Sequence, residues 1–215
     1  MSVRMSASVR YRSRSIRRHV VLMALLIGPV GCATHSATPA ATGAVTESAR
    51  TAPTIVYLVR HAEKASATDP DPSLSATGVI RAAALRETLR STGIQTVLTS
   101  DRKRTRETAE PLATERMIVS ETISLGAGSA GAYAAAVASR VRADFTGRRV
   151  LIVGHSNTVT ETIAALGGPQ LPDLCDAQYS VLFRLVLDSA GTAPQLTRTT
   201  YGAPDPPRAA ECAQR

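Results

Sequence analysis

Short apolar runs alternate with amphipathic stretches along most of this chain, and the alternation predicts an order of elements. Thr54–Val59 is an apolar, β-branched run of strand length. Glu63 to Ser73 is polar and carries Pro70 and Pro72, which predicts a loop. Ser75 is a good helix N-cap. After it, Ala76–Arg90 sets Ile80, Ala83, Ala84, Leu85 and Leu89 at helical spacing, with Gly93 as a stop. Ile94–Thr99 reads as a second strand. Ser100-Asp101 then caps a helix running through Arg104, Thr108 and Leu112 to Glu115, and Met117–Val119 is a third strand. Leu125–Gly131 is rich in Gly, Ala and Ser and predicts a loop, and Tyr133–Phe145 predicts a helix closed by Gly147. Arg149–Val153 is the strongest strand signal. Gly154-His155-Ser156-Asn157 breaks it, and Thr158–Leu166 continues as a helix ended by Gly167-Gly168. Tyr179–Leu187 and Gln195–Tyr201 alternate as late strands.

Strands alternating with helices predict an α/β domain over residues 54–203 with a mainly parallel sheet, followed by an irregular tail at 204–215. Ligands of such sheets bind beyond the carboxyl ends of the strands. Three strand ends here carry residues that make little sense as packing: Arg60-His61, Ser100–Arg104 and Gly154-His155. They are expected to converge in one crevice.

Composition changes the picture mainly at the N-terminus. Of the net charge of +8, six arginines before residue 33 supply most; no acid accompanies them, and without that segment the charge is +2. No Lys/Arg stripe with interleaved aromatics appears elsewhere, so a nucleic acid partner is not expected. Residues 1–32 read as an export signal: an Arg-rich start, the apolar Val20–Ile27, too short to span a bilayer, and the small residues of Gly28-Pro-Val-Gly-Cys32. Cys32 is the candidate lipid-bearing residue of a lipoprotein, although Pro29 stands where such signals usually have Leu. An uncleaved membrane anchor is the other reading, and Arg17-Arg18 before His19-Val20-Val21 resembles a twin-arginine signal. Residues 33–53 are rich in Ala, Thr and Ser and cannot bury enough apolar surface to offset ordering, so they predict a flexible linker. The expected location is the periplasm or the cell envelope, with membrane contact only through a lipid on Cys32. An exported chain can pair Cys175 with Cys212. No Cys/His cluster has zinc spacing.

Two arginines and two histidines at strand ends suit a tetrahedral dianion. Guanidinium groups present paired donors that match phosphate oxygens and keep their charge. Histidine can be a covalent nucleophile if its attacking nitrogen is unprotonated and the other is held by an acceptor. Phosphoryl transfer then needs positioning and charge neutralisation more than elaborate covalent machinery, and arginines with a second histidine can supply that without a metal. Taken singly, each signal has a bland reading: a surface Arg-His pair, a strand-to-helix turn, a solvated basic helix face at Arg102, Lys103 and Arg106. Tyr133 and Tyr179 read as packing residues, and Asn157 as a cap.

Leu58-Val-Arg60-His61-Ala-Glu63 resembles the Arg-His-Gly-Glu signature of the histidine phosphatase superfamily, the phosphoglycerate mutase-like group. Leu74-Ser75 with Gly78 and Arg81-Ala82, Ser100-Asp-Arg-Lys-Arg104 with Thr108-Ala109, and Val153-Gly154-His155-Ser156-Asn157 resemble its later blocks, in order over residues 54–166. The resemblance implies a three-layer α/β/α sandwich without a cofactor. It makes His61 the nucleophile that becomes phosphorylated, and Arg60, Arg104 and His155 the groups that bind the phosphoryl moiety of a small phosphorylated substrate. Glu63 and Lys64 are candidates for holding the nucleophile or substrate, or for the rim. The family's proton donor is often a Glu in a Leu-x-Glu setting; here Ile123-Ser-Leu125-Gly-Ala-Gly has no carboxylate, which leaves Glu121, out of register, as the nearby candidate. Long insertions typical of the mutases are missing, which favours a phosphatase. The expected activity is phosphomonoester hydrolysis; the alternatives are a protein phosphohistidine phosphatase and a non-catalytic lipoprotein that binds a phosphate ligand.

Overall fold

The computed structural model describes residues 52–207. The expected export signal with Cys32, the linker up to residue 51, Cys212 and the end of the tail lie outside the described residues.

β1 (Thr54–Arg60) is buried on both faces, as its unbroken apolar run requires. Its side chains alternate between two cores. Val56 and Leu58 join one, and Tyr57 and Val59 the other. Strands β2 (Thr96–Ser100), β3 (Glu121–Ile123), β4 (Arg149–Gly154), β5 (Val181–Leu187) and β6 (Gln195–Thr200) complete a six-stranded sheet of order β3-β2-β4-β1-β5-β6. β3, β2, β4 and β1 are mutually parallel, and β5 and β6 run antiparallel to their neighbours. The described residues contain four helices: α1 (Ala76–Leu89), α2 (Lys103–Glu115), α3 (Ala130–Asp144) and α4 (Ser156–Ala165). Leu85 and Leu89 of α1 and Leu112 of α2 pack on one face of the sheet. Val137 and Val141 of α3 and Ile163 of α4 pack on the other. The result is the expected three-layer α/β/α sandwich.

Two details depart from the sequence pattern. The third strand is Glu121–Ile123, not Met117–Val119, whose Met117 and Val119 are 92% and 93% exposed. After α2, Met117 takes a left-handed conformation (φ 53°). Ile118 N–H then donates to Ala113 O at 2.9 Å and Met117 N–H to Thr114 O at 3.1 Å, a C-terminal cap that turns the chain before it can align with β2. In α1 the inward position belongs to Arg81 rather than Ile80, which is 69% exposed. Arg81 forks onto Glu63, with Nε 2.9 Å from Oε1 and Nη2 2.7 Å from the same oxygen.

The first turn of α1 seats directly on the loop after β1. Ser75 caps it through the Gly78 amide at 3.1 Å, and Ser75 N–H donates to Glu63 O at 2.8 Å. A side chain at Gly78 would put its Cβ 2.2 Å from that same carbonyl oxygen. Gly78→Ala is therefore expected to destabilise the fold by about 2 kcal/mol or more, read as a lowered thermal midpoint, because backbone cannot yield there as a side-chain tip can. An unchanged midpoint would show that α1 can shift away at no cost.

Candidate active site

Register brings three strand ends to one edge. Arg60 pairs with Gly154 across β1 and β4, and Thr99 with Val153 across β2 and β4. The residues just past these ends surround a cavity of about 470 Å³, lined by Arg60, His61, Arg104 and His155. Lys64 lines it too.

His61 is 4% exposed, and its ring lies 5.3 Å from that of His155, centroid to centroid. Its Nδ1 stands 2.8 Å from the Ala62 carbonyl oxygen. A carbonyl can only accept, so Nδ1 carries the ring proton and Nε2 keeps its lone pair. Burial, followed by the nearby Arg60, His155 and Arg104, pushes the imidazole down to about 3 against the pull of the Ala62 carbonyl. His155 is pushed down to about 4, first by burial and then by Arg104, Arg102 and Arg60. Its Nδ1 faces Arg104 Nη2 at 3.4 Å, so its proton sits on Nε2, 2.9 Å from Ser100 Oγ.

Both histidines are thus neutral in the folded chain at pH values where an unfolded chain would protonate them. The unfolded state binds more protons below pH 6.5, so stability falls as pH drops from 6.5 toward 4. Each histidine is expected to contribute about 1.4 kcal/mol per pH unit to that fall. Urea unfolding between pH 7 and pH 5 measures it, and His61→Asn should remove one histidine's share of the slope. An unchanged slope in that variant would mean that His61 is not held neutral.

Arg60 is 4% exposed and held by the turn before β5. Nη1 donates to Cys175 O at 2.7 Å, Nη2 lies 3.3 Å from Asp176 Oδ1, and the Tyr179 ring sits 4.3 Å from the guanidinium carbon. Arg104, at the start of α2, is 3.8 Å from Asp71. The Nε atoms of Arg60 and Arg104 are both buried without a partner.

Ser100 and Asp101 do not cap α2. The N-cap is Arg102, without a side-chain bond. Ser100 Oγ is taken by His155 and by Thr105 Oγ1 at 3.0 Å, and Asp101 accepts from Ser124 Oγ at 2.8 Å. These polar groups tie the end of β2 to the ends of β4 and β3. α4 likewise starts at Ser156 rather than Thr158. His155 is its N-cap, and its N–H donates to Thr158 Oγ1 at 2.8 Å.

Other candidates fall elsewhere. Glu63 is locked to Arg81 and does not line the cavity. Glu121 as general acid is corrected: it lies in β3 away from the cavity, with Arg140 Nε 2.6 Å from Oε1 and Arg140 Nη2 2.9 Å from Oε2. Asn157 lines the cavity but does not cap α4. Tyr133 packs in the α3/α4 core, whereas Tyr179 stacks against Arg60 and stands 6.2 Å from the His61 ring. Cys175 is disulfide-bonded, and its expected partner Cys212 lies outside the described residues.

The family model described as histidine phosphatase superfamily (branch 1) matches residues 56–124, the stretch that carries Arg60, His61 and Arg104. Over this stretch the chain is similar to the histidine phosphatase superfamily. No curated protein matches the sequence. Among solved structures, a mycobacterial glucosyl-3-phosphoglycerate phosphatase is similar with a TM-score of 0.53 at 20% identity, covering 69% of this chain and 99% of its own. The protein histidine phosphatase SixA, complexed with tungstate, gives 0.53 at 20% identity over 68% and 96% of the two chains. Mycobacterial hydrolase 2 gives 0.52 at 18%, over 74% and 97%. At these identities the likeness is one of fold. It spans nearly the whole of each of these neighbours, whose length the described domain therefore matches.

Proposed function

We propose that this protein is a histidine phosphatase, a phosphomonoesterase that needs no metal and works through a phosphohistidine on His61. The observation that carries the reading is the 2.8 Å contact of His61 Nδ1 with the Ala62 carbonyl, which leaves Nε2 free to attack. Arg60 and Arg104 supply the positive field, and their unpartnered Nε donors are ones that a bound oxyanion would satisfy. SixA with tungstate, and mycobacterial phosphatase structures with VO3 and inorganic phosphate, support the same ligand class.

In the first step Nε2 forms a P–N bond in line with the departing oxygen. The P–O bond breaks with its electron pair, and the leaving oxygen takes a proton from solvent water. In the second, water attacks phosphorus, the P–N bond breaks back onto Nε2, and phosphate leaves while the water proton passes to solvent. A dianion in the cavity raises the pKa of His155, so His155 gains a proton and donates it as a hydrogen bond to the phosphoryl group. Lys64 and Arg102 line the same cavity and make no side-chain hydrogen bond or salt bridge among the described residues. They favour a substrate with negative charge beyond its phosphoryl group.

The leaving oxygen has no well-placed donor. The carboxylate that lines the cavity, Asp176, is fully exposed and held by Arg60. Substrates whose oxygen departs easily are therefore favoured. Aryl phosphates are expected to turn over on the order of 10²-fold faster than simple alkyl phosphates, measured as kcat/KM over a panel. Equal rates would point to an acid not identified in the site. A phosphohistidine peptide belongs in that panel, because protein phosphohistidine hydrolysis is the second substrate class. Phosphate binding with no turnover of any substrate would instead indicate a binding protein.

The envelope location is part of the same proposal. It is supported by the Arg-rich, then apolar leader ending at Cys32 and by the disulfide at Cys175, which suits an oxidising compartment. Mass spectrometry of the mature N-terminus is expected to show processing there, and the full unprocessed sequence would contradict it.

A further inference from the structure

The phosphoryl clamp at Arg60 depends on chain far from β1. Among the described residues, the hydrogen-bond and stacking partners of the Arg60 side chain all belong to the turn at residues 175–179: Cys175 O at 2.7 Å, Gln178 O at 3.4 Å, Asp176 Oδ1 at 3.3 Å and the Tyr179 ring. Gln178 closes that turn, accepting from Cys175 N–H at 2.8 Å through its side chain. Beside the disulfide at Cys175 and the Leu174 N–H bond to Ser156 O at 3.0 Å, Asp205 ties the far end of the turn to the rest of the molecule. Its Oδ1 accepts from Tyr179 N–H at 2.8 Å and Ser180 N–H at 2.9 Å, and its Oδ2 from Ser180 Oγ at 2.7 Å.

Asp205 lies past the last strand, in a segment with no helix or strand of its own. That segment is nonetheless held. Tyr201 is 3% exposed and donates its N–H to Ser180 O at 2.9 Å. Gly202, at φ +65°, passes so close to α1 that a side chain would stand 3.2 Å from Ala84 Cβ. Arg81 Nη1 donates to Ala203 O at 2.9 Å and to Tyr201 O at 3.3 Å while its other nitrogens fork onto Glu63. Two chains of contacts therefore run from the same tail to the end of β1: Asp205–Tyr179–Arg60, and Ala203–Arg81–Glu63.

We infer that Tyr201–Asp205 is a brace for the phosphoryl site, and that Asp205 is a positioning residue acting through Tyr179 on Arg60. The inference rests on Arg60 being a phosphoryl clamp. An arginine already ordered loses little freedom when it takes an anion, so the brace acts on binding. The nucleophile, held by its own carbonyl contact, is untouched. Loss of the brace weakens oxyanion affinity and raises KM, with kcat little changed.

Orthovanadate binding by calorimetry on the full chain, beside steady-state kinetics with an aryl phosphate, tests this. Asp205→Ala is expected to bind orthovanadate roughly tenfold more weakly and to raise KM by a similar factor, with kcat changed by less than about threefold. Tyr179→Leu should do the same, and the double variant should be no worse than either single one, since both act through one contact. Asp205→Asn, whose carbonyl oxygen can still accept from the two amides, should recover most of the affinity. Wild-type affinity in folded Asp205→Ala, or a fall in kcat with affinity and KM unchanged, overturns the brace. If Asp205→Ala does not fold, unchanged affinity in Tyr179→Leu does so. A wild-type chain that binds no orthovanadate overturns the phosphatase reading itself, and the brace with it.

Discussion

His61→Ala is expected to lower kcat/KM for an aryl phosphate by a factor on the order of 10⁴, with the fold retained. Two features set the size of the effect. In the proposed mechanism the imidazole provides the covalent route, and no neighbouring side chain is set to take it over: His155 has its proton on Nε2 facing Ser100, and its Nδ1 faces Arg104. The fold should survive because His61 is a cost to it. Burying an imidazole that prefers to be charged below pH 6.5 is unfavourable, and alanine removes that penalty while leaving Ala62 N–H on Thr108 Oγ1 at 2.9 Å. Circular dichroism and the thermal midpoint check the fold, and initial rates check the chemistry. Activity within tenfold of wild type would mean that water is activated directly and His61 is only a ligand.

Arg104→Ala is expected to cost about 10²- to 10³-fold in kcat/KM and to weaken orthovanadate binding in parallel. Arg104 is only partly enclosed, with its side chain 17% exposed, and its ion pair with Asp71 is loose at 3.8 Å. Its guanidinium is therefore free to turn onto a ligand. Lysine cannot restore two parallel donors, so Arg104→Lys should recover little. A second signature separates a clamp from a structural role. Arg104 depresses the His155 pKa, so its removal should let His155 titrate nearer its ordinary value, moving up from about 4. Histidine proton resonances followed against pH report that directly. Full affinity for orthovanadate in Arg104→Ala would remove Arg104 from the site.

The parts of the site legible in the sequence are those where a buried strand ends in a charged or titratable residue. Arg60, His61 and His155 each break an apolar run, and nothing in packing accounts for that. Arg104 was legible by its distance from Ser100. The parts that were not legible are borrowed from far along the chain. Tyr179 and Asp176 reach Arg60 from more than a hundred residues away, and Asp205 lies in an irregular tail, with nothing in the local pattern to mark their link to Arg60. Ser100 and Asp101 have the composition of helix caps but are diverted to His155 and Ser124, because their oxygens serve the junction of strand ends instead. Ile80 and Arg81 exchange the expected inside and outside because Glu63 gives a buried arginine its partner. The short apolar run at Met117–Val119 could not be told from a turn by pattern alone, since three residues carry no period.

The proposed phosphohistidine on His61 is tested most directly by trapping it. The full chain is mixed with a ³²P-labelled aryl phosphate, quenched in alkali where phosphoramidates survive, and digested for mass spectrometry. The expected result is label on the peptide containing His61, lost on mild acid treatment, and absent from His61→Ala. Steady turnover with no label on His61 at any quench time would contradict it.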